Sequence, residues 1–167
     1  TVNYPDKADV FQLEMKNRTT YIVDGEAHQL VKKKAKIYVR FFGMRIPVSK
    51  VFYESIYGPT LRNKAGVFAV RTPSTTNINA LEQWWRMNKA RSFSEFYSYL
   101  EWNAIPGYNI GYADRNDTIF YISNGKIPKR DSSYNWRKVV PGNTKKTLWN
   151  SYYTTQELPQ VIAPKSG

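Results

Sequence analysis

Tyr108-Asn-Ile-Gly-Tyr-Ala-Asp-Arg-Asn-Asp-Thr-Ile-Phe-Tyr-Ile-Ser-Asn-Gly-Lys-Ile-Pro-Lys-Arg130 is the stretch from which the fold can be read. Two runs rich in β-branched and aromatic residues, Tyr108 to Ala113 and Thr118 to Ser123, flank Asp114-Arg115-Asn116-Asp117, whose side chains favour turns; the pattern predicts a β-hairpin with a short loop. Asn124-Gly125 turns the chain again. Ile127-Pro128 then forces an extended exit, because the residue before a proline is pushed out of the helical region.

Working outward, residues 1–75 read as strand-rich. Tyr4-Pro5-Asp6 opens with a turn, and Val10 to Met15 alternates in part as a strand does. Tyr21-Ile22-Val23, then Asp24-Gly25, then Ala27 to Val31 form a hairpin pattern in which Asp-Gly supplies the positive φ. Lys36 to Phe42 and Val48 to Ser55 follow as strands joined through Gly43 and Pro47. Tyr57-Gly58-Pro59 is expected to break the sheet, and Val67 to Arg71 to resume it.

Residues 76–104 carry the helical pattern. Ile78, Leu81, Trp84, Trp85 and Asn88 recur at helical spacing and are expected to form the inner face of a first helix; Ser92-Phe93-Ser94-Glu95 is a capping box opening a second, with Phe96, Tyr99 and Leu100 inward. The expectation is an α+β fold, mostly antiparallel sheet with a helical hairpin over it. After the β-hairpin of residues 105–130, residues 131–167 have few periodic runs. About forty irregular residues are uncommon in a self-contained domain, so the chain reads as a single segment of a larger protein.

Composition narrows the chemistry. The 167 residues include no cysteine and one histidine, which removes disulfides, thiolate metal sites and cysteine nucleophiles and leaves any Ser-His-Asp triad dependent on His28. His28 follows the Asp24-Gly25 turn and is expected at the surface. No apolar run is long enough for a membrane-spanning helix. The net charge of +12 with 16% aromatics would suit a stand-alone module holding an anionic polymer such as single-stranded nucleic acid. Against that, Lys32-Lys33-Lys34 and Lys36 lead into an alternating strand, where lysines guard a sheet edge, so a charged surface or one matched to an acidic companion is the reading preferred to nucleic acid. Asp6 and Asp9 flank a turn and are two of the several oxygen ligands a hard cation needs.

The order of motifs resembles the penicillin acylase (penicillin amidase) family of N-terminal-nucleophile hydrolases. The strand ending Tyr112-Ala113-Asp114, the Ile119-Phe120-Tyr121-Ile122 strand, Gly125-Lys126-Ile127-Pro128-Lys129-Arg130, Val140-Pro141-Gly142, Glu157-Leu158-Pro159-Gln160-Val161 and Ala163 to Gly167 come in that family's order and spacing. So do Thr1-Val2-Asn3, Asp9-Val10-Phe11, Tyr21 to Gly25, Tyr57-Gly58-Pro59 and Lys89-Ala90-Arg91 with Phe93 and Glu95-Phe96. The resemblance implies part of a four-layer αββα fold and an internal segment of the catalytic β subunit. In the family a precursor cuts itself into α and β subunits, and the new N-terminal residue of β, usually serine, attacks an amide carbonyl with its own α-amino group as base.

By this register Thr1 is not the nucleophile, which lies upstream; the segment by itself is expected to be inactive. The chain also stops short of the oxyanion asparagine. Val2 matches the residue whose backbone N–H is the second oxyanion donor. Trp84 and Tyr108 match positions lining the acyl pocket, with tyrosine at 108 narrowing or polarising it, and Asn109 beside them is a candidate donor to the substrate amide. Asp6 and Asp9, with the Ala8 and Trp136 carbonyls, match part of a structural calcium site whose remaining ligands lie elsewhere. The implied partners are the remainder of the precursor, that is the α subunit and the rest of β, and a small N-acyl amide substrate. The implied location is periplasmic or secreted.

Overall fold

The computed structural model describes residues 8–73 and 78–163, and among them the order is strand-rich, then helical, then strands and irregular chain. Strands β1 (Asp9–Gln12), β2 (Glu14–Met15), β3 (Thr20–Val23), β4 (Glu26–Gln29), β5 (Val31–Phe41), β6 (Met44–Ser55), β7 (Gly58–Asn63) and β8 (Gly66–Arg71) precede helices α1 (Ala80–Lys89) and α2 (Phe93–Leu100). Then come β9 (Tyr108–Ala113), β10 (Ile119–Asn124), β11 (Val140–Pro141) and β12 (Gln160–Ile162). The fold is α+β, as the pattern predicts. The chain divides into two compact units, one of Asp9–Arg71 with Asp131–Leu148, the other chiefly of Thr72–Arg130 with the residues from Trp149 onward.

The first unit holds a six-stranded sheet in the order β11-β1-β8-β7-β6-β5 and a small one in the order β2-β3-β4. The Val10 to Met15 run splits between them at Leu13. Tyr57-Gly58-Pro59 corrects the sequence reading: the chain turns tightly at Ile56-Tyr57 and Gly58-Pro59 opens β7, with Ser55 opposite Gly58 and Glu54 opposite Pro59. Gly58 is required there, since its φ is +127° and a Cβ would sit 2.3 Å from the Val70 carbonyl oxygen. Beneath the sheet Phe11 stacks on Tyr57 with ring centroids 4.8 Å apart. The Tyr57 hydroxyl donates to the Thr144 carbonyl at 2.8 Å, and burial, the dominant cause, pushes its pKa up to about 12. Val140 and Pro141 pair in parallel with Phe11 and Gln12, a contact over a long sequence separation that local pattern does not announce.

Two turns follow local chemistry. Asp24 and Gly25 take φ of 48° and 83°, as a two-residue hairpin requires. Phe42 and Gly43 do the same at 47° and 80°, and set the register Phe41 opposite Met44 for a ribbon far longer than the two predicted strands. Counting back from that turn, Pro47 opposite Tyr38 falls at a position whose N–H would point away from the partner strand, so its missing donor disturbs no rung.

The second unit places α1 and α2 on a three-stranded sheet ordered β12-β10-β9. Ile119 to Asn124 pair with Ala113 to Tyr108, and the Asp114 carboxylate closes the loop by accepting from the Asn116 and Thr118 N–H groups at 2.9 and 3.2 Å. Alternation sends Phe120 and Ile122 inward, where they meet Met87, Phe96, Leu100, Ile105 and Leu158. Burial of each such side chain contributes about 1.5–3 kcal/mol. Ser92 caps α2, its Oγ accepting from Glu95 N at 3.2 Å, while the Glu95 carboxylate reaches back to Arg91 N at 2.8 Å, one residue earlier than in the ideal box.

The face of α1 is the second correction. Ile78, Leu81 and Trp85, expected inward, are 93%, 85% and 63% exposed, whereas Gln83 and Met87, one turn apart, are buried. Gln83 is held there because its Oε1 accepts from the backbone N–H groups of Ala104 and Ile105 at 2.7 and 3.0 Å.

Candidate functional site

Helix α1 and strand β9 enclose a cavity of about 300 Å³. Trp84 lies on the flank of α1 beside the buried Gln83, and Tyr108 begins β9; their ring centroids are 5.5 Å apart at 58°, a tilted aromatic pair forming one wall. Met87, Phe96 and Ile110 continue the lining and Asn88 and Asn109 add polar surface, so the wall is part aromatic and apolar, part polar. Both rings are about half exposed, Trp84 at 45% and Tyr108 at 51%, so they form a rim rather than buried core. Gly111 borders the cavity with its main chain, since a Cβ there would project to the opposite face of the sheet, into open space.

Asn109 also borders the cavity. In the strand it alternates with Tyr108 and Ile110, so its Cβ projects to the face of the sheet opposite theirs, in register with Ser123. What it offers on the side of α1 is its main chain. On the Tyr108 side, directly across the ladder, stands Asn124, 1% exposed, whose Nδ2 and Oδ1 have no hydrogen-bond partner among the described residues. Met87, Phe96 and Asn124 carried no sequence signal as site residues. Phe96 read as the inner face of the second helix and Asn124 as half of a turn, while Met87 drew no reading at all.

Val2 and Asp6 lie outside the described residues. Ala8 is half-buried, and Asp9 opens β1 opposite Arg71 and is 4% exposed. The Trp136 indole N–H donates to the Asp131 carbonyl at 2.7 Å, and its ring meets Phe11 edge-on at 6.3 Å. Among the described residues no group of three or more His, Asp or Glu side chains converges. The described part of the implied calcium set is therefore one carboxylate and two main-chain carbonyls, too few oxygens for a shell of six to eight. His28 sits on β4 with its ring 5.6 Å from that of Tyr21, and it is half-buried in the hairpin rather than at the surface as expected.

The profile of the penicillin amidase family matches residues 1–167. The chain belongs to that family. It is 27% identical over 131 residues to the acyl-homoserine lactone acylase PvdQ of Pseudomonas syringae pv. syringae, covering 73% of this chain and 17% of that protein. To the PvdQ of Pseudomonas fluorescens it is 24% identical over 178 residues, covering 90% and 23%. To the penicillin G acylase of Escherichia coli it is 24% identical over 170 residues, covering 100% and 20%. The chain thus spans about a fifth of the length of these curated relatives. A thermostable penicillin G acylase from Alcaligenes faecalis superposes with a TM-score of 0.80 at 20% identity, over 96% of this chain and 29% of that one, which shows a shared fold.

Proposed function

We propose that this chain is part of a hydrolase of linear amides whose nucleophile, an N-terminal serine, lies outside it, and that its own contribution is to bind the acyl group. The observation that carries this is the aromatic-walled cavity of about 300 Å³ in a chain matched end to end by an amidase family. In the reaction the serine oxygen bonds to the amide carbonyl carbon, the C–N bond breaks with the amine leaving protonated, and water then cleaves the acyl ester to free the acid. Trp84 and Tyr108 hold the acyl chain by apolar and ring contact, excluding water from the carbonyl end. The volume suits a single ring or a short alkyl chain and falls at the small end of ligand pockets. The Val2 N–H is the proposed oxyanion donor. A periplasmic or secreted location is part of the same proposal.

The test uses the full-length gene product. Phenylacetyl and alkanoyl amides of a chromogenic amine should be cleaved, and changing the serine at the self-cleavage junction to alanine should abolish release. Release that persists in the serine variant, or no release from either amide series, refutes the proposal. Salt-sensitive capture of single-stranded nucleic acid by an inactive chain would favour the anionic-polymer reading instead.

A further inference from the structure

Strands β5 and β6 form a ribbon of eleven cross-strand pairs from Val31 opposite Glu54 to Phe41 opposite Met44. β6 pairs with β7 only at Glu54 and Ser55, and β5 is the last strand of its sheet, so beyond its base the ribbon has two strands and two open edges among the described residues. Such a hairpin is marginal in water unless something packs on it. Here nearly every residue of both strands is exposed.

The two faces differ in chemistry. Opposed residues in an antiparallel pair project to the same side, which gathers Ile37 with Val48, Val39 with Ile46 and Phe41 with Met44 on one face. These six side chains are 42–63% exposed, a contiguous apolar patch of the kind that marks an interaction surface. The other face carries Lys32, Lys34, Lys36, Arg40 and Arg45, with Tyr38 under the Lys36 ammonium at 5.4 Å. The ribbon's one carboxylate, Glu54, is on the apolar side, where it pairs with Lys33. Arg40 and Arg45 stand directly opposite each other, an arrangement that repels unless an anion lies between or over them.

We propose that this ribbon is the docking arm by which the segment joins the rest of its parent polypeptide, an apolar layer covering the Ile37–Val39–Phe41 face and an acidic surface covering the Lys34–Arg40–Arg45 face. The occupant is polypeptide of the same parent because the relatives carry roughly four-fifths of their length outside the matched region, and because an uncompensated cationic face fits carboxylates. A ribbon lying on a lipid surface would bury one face only, leaving the other in water. The proposal rests on the family reading of the parent but not on its substrate.

This chain contains no cysteine, so once any cysteines in the rest of the parent are replaced by serine, accessibility is measurable by single substitutions. In the native full-length protein, Val39→Cys on the apolar face and Arg45→Cys on the cationic face should react with a maleimide at least ~10-fold more slowly than Lys64→Cys on the β7–β8 turn, since labelling then requires local opening, and urea should equalise the three. Ile46→Cys and Arg40→Cys repeat the measurement if either variant fails to accumulate. Both faces labelling as fast as position 64, or only one face being protected, overturns the proposal. So does protection that appears only on adding phosphatidylglycerol vesicles or an oligonucleotide. Amide hydrolysis by the same preparations reports separately on the parent's activity, so loss of one reading is distinguishable from loss of the other.

Discussion

Replacing Gln83 with methionine isolates the contact that sets the face of α1. The substitution keeps length and flexibility but removes the acceptor for two buried N–H groups, those of Ala104 and Ile105. Each donor left without a partner costs about 1–3 kcal/mol, and shedding the amide's own desolvation offsets part of the total, so a net loss of about 2–4 kcal/mol is expected. For a chain of this size that lowers Tm by about 4–16 °C. Leu81→Ala is the internal comparison: at 85% exposure it should change stability by less than about 0.5 kcal/mol, although leucine is the residue a hydrophobic stripe would place inside. Urea unfolding followed by tryptophan fluorescence measures both. If Leu81→Ala costs as much as Gln83→Met, or if Gln83→Met is neutral, the assignment of the buried face by Gln83 is wrong.

Other consequences are measurable. Glu157 accepts from the Lys129 ammonium at 2.6 Å and from Thr154 N at 2.7 Å, and the lysine bond first, then the backbone bond, depress its pKa from 4.5 to about 2. A lowered folded pKa gives stability that is full above the unfolded value and fades as pH falls from about 4.5 towards 2. The Tm gap between wild type and Glu157→Gln should therefore be present at neutral pH and close by about pH 2; a gap unchanged over that range contradicts it. Gly58→Ala should destabilise by at least about 2 kcal/mol from left-handed strain and overpacking against Val70, read by the same unfolding curves. Asn124→Leu should be neutral or stabilising by up to about 1 kcal/mol, because it removes a buried amide that has no hydrogen-bond partner among the described residues, whereas a loss above about 2 kcal/mol would show a partner in solution. If the full-length protein is the amide hydrolase proposed above, Trp84→Ala should raise KM for phenylacetyl amides by about tenfold or more with a smaller effect on kcat, from loss of the proposed ring contact with the acyl group.

Local chemistry made several elements legible before any coordinates. The hairpin from Tyr108 to Asn124 follows from alternation around Asp114, the Asp24-Gly25 turn from the tolerance of both residues for positive φ, and the start of α2 from Ser92 and Glu95. The family, with the candidates Trp84 and Tyr108, followed from motif order. In each case the deciding groups lie within a few residues of one another, so neighbouring sequence contains the whole interaction. Tertiary structure decided what depends on distant partners. Gln83 went inside because Ala104 and Ile105 supply donors about twenty residues away. β11 lies parallel to β1 across more than a hundred residues. Trp84 became a cavity wall because β9 brings Tyr108 to it. The lysine-rich stretch from Val31 became half of an eleven-pair ribbon, since only the register fixed by Phe42-Gly43 sorts Lys32, Lys34 and Lys36 onto one face and Ile37, Val39 and Phe41, with Lys33, onto the other. A sequence records which side chains alternate; whether each face finds an apolar layer, a carboxylate or water is settled by what folds against it.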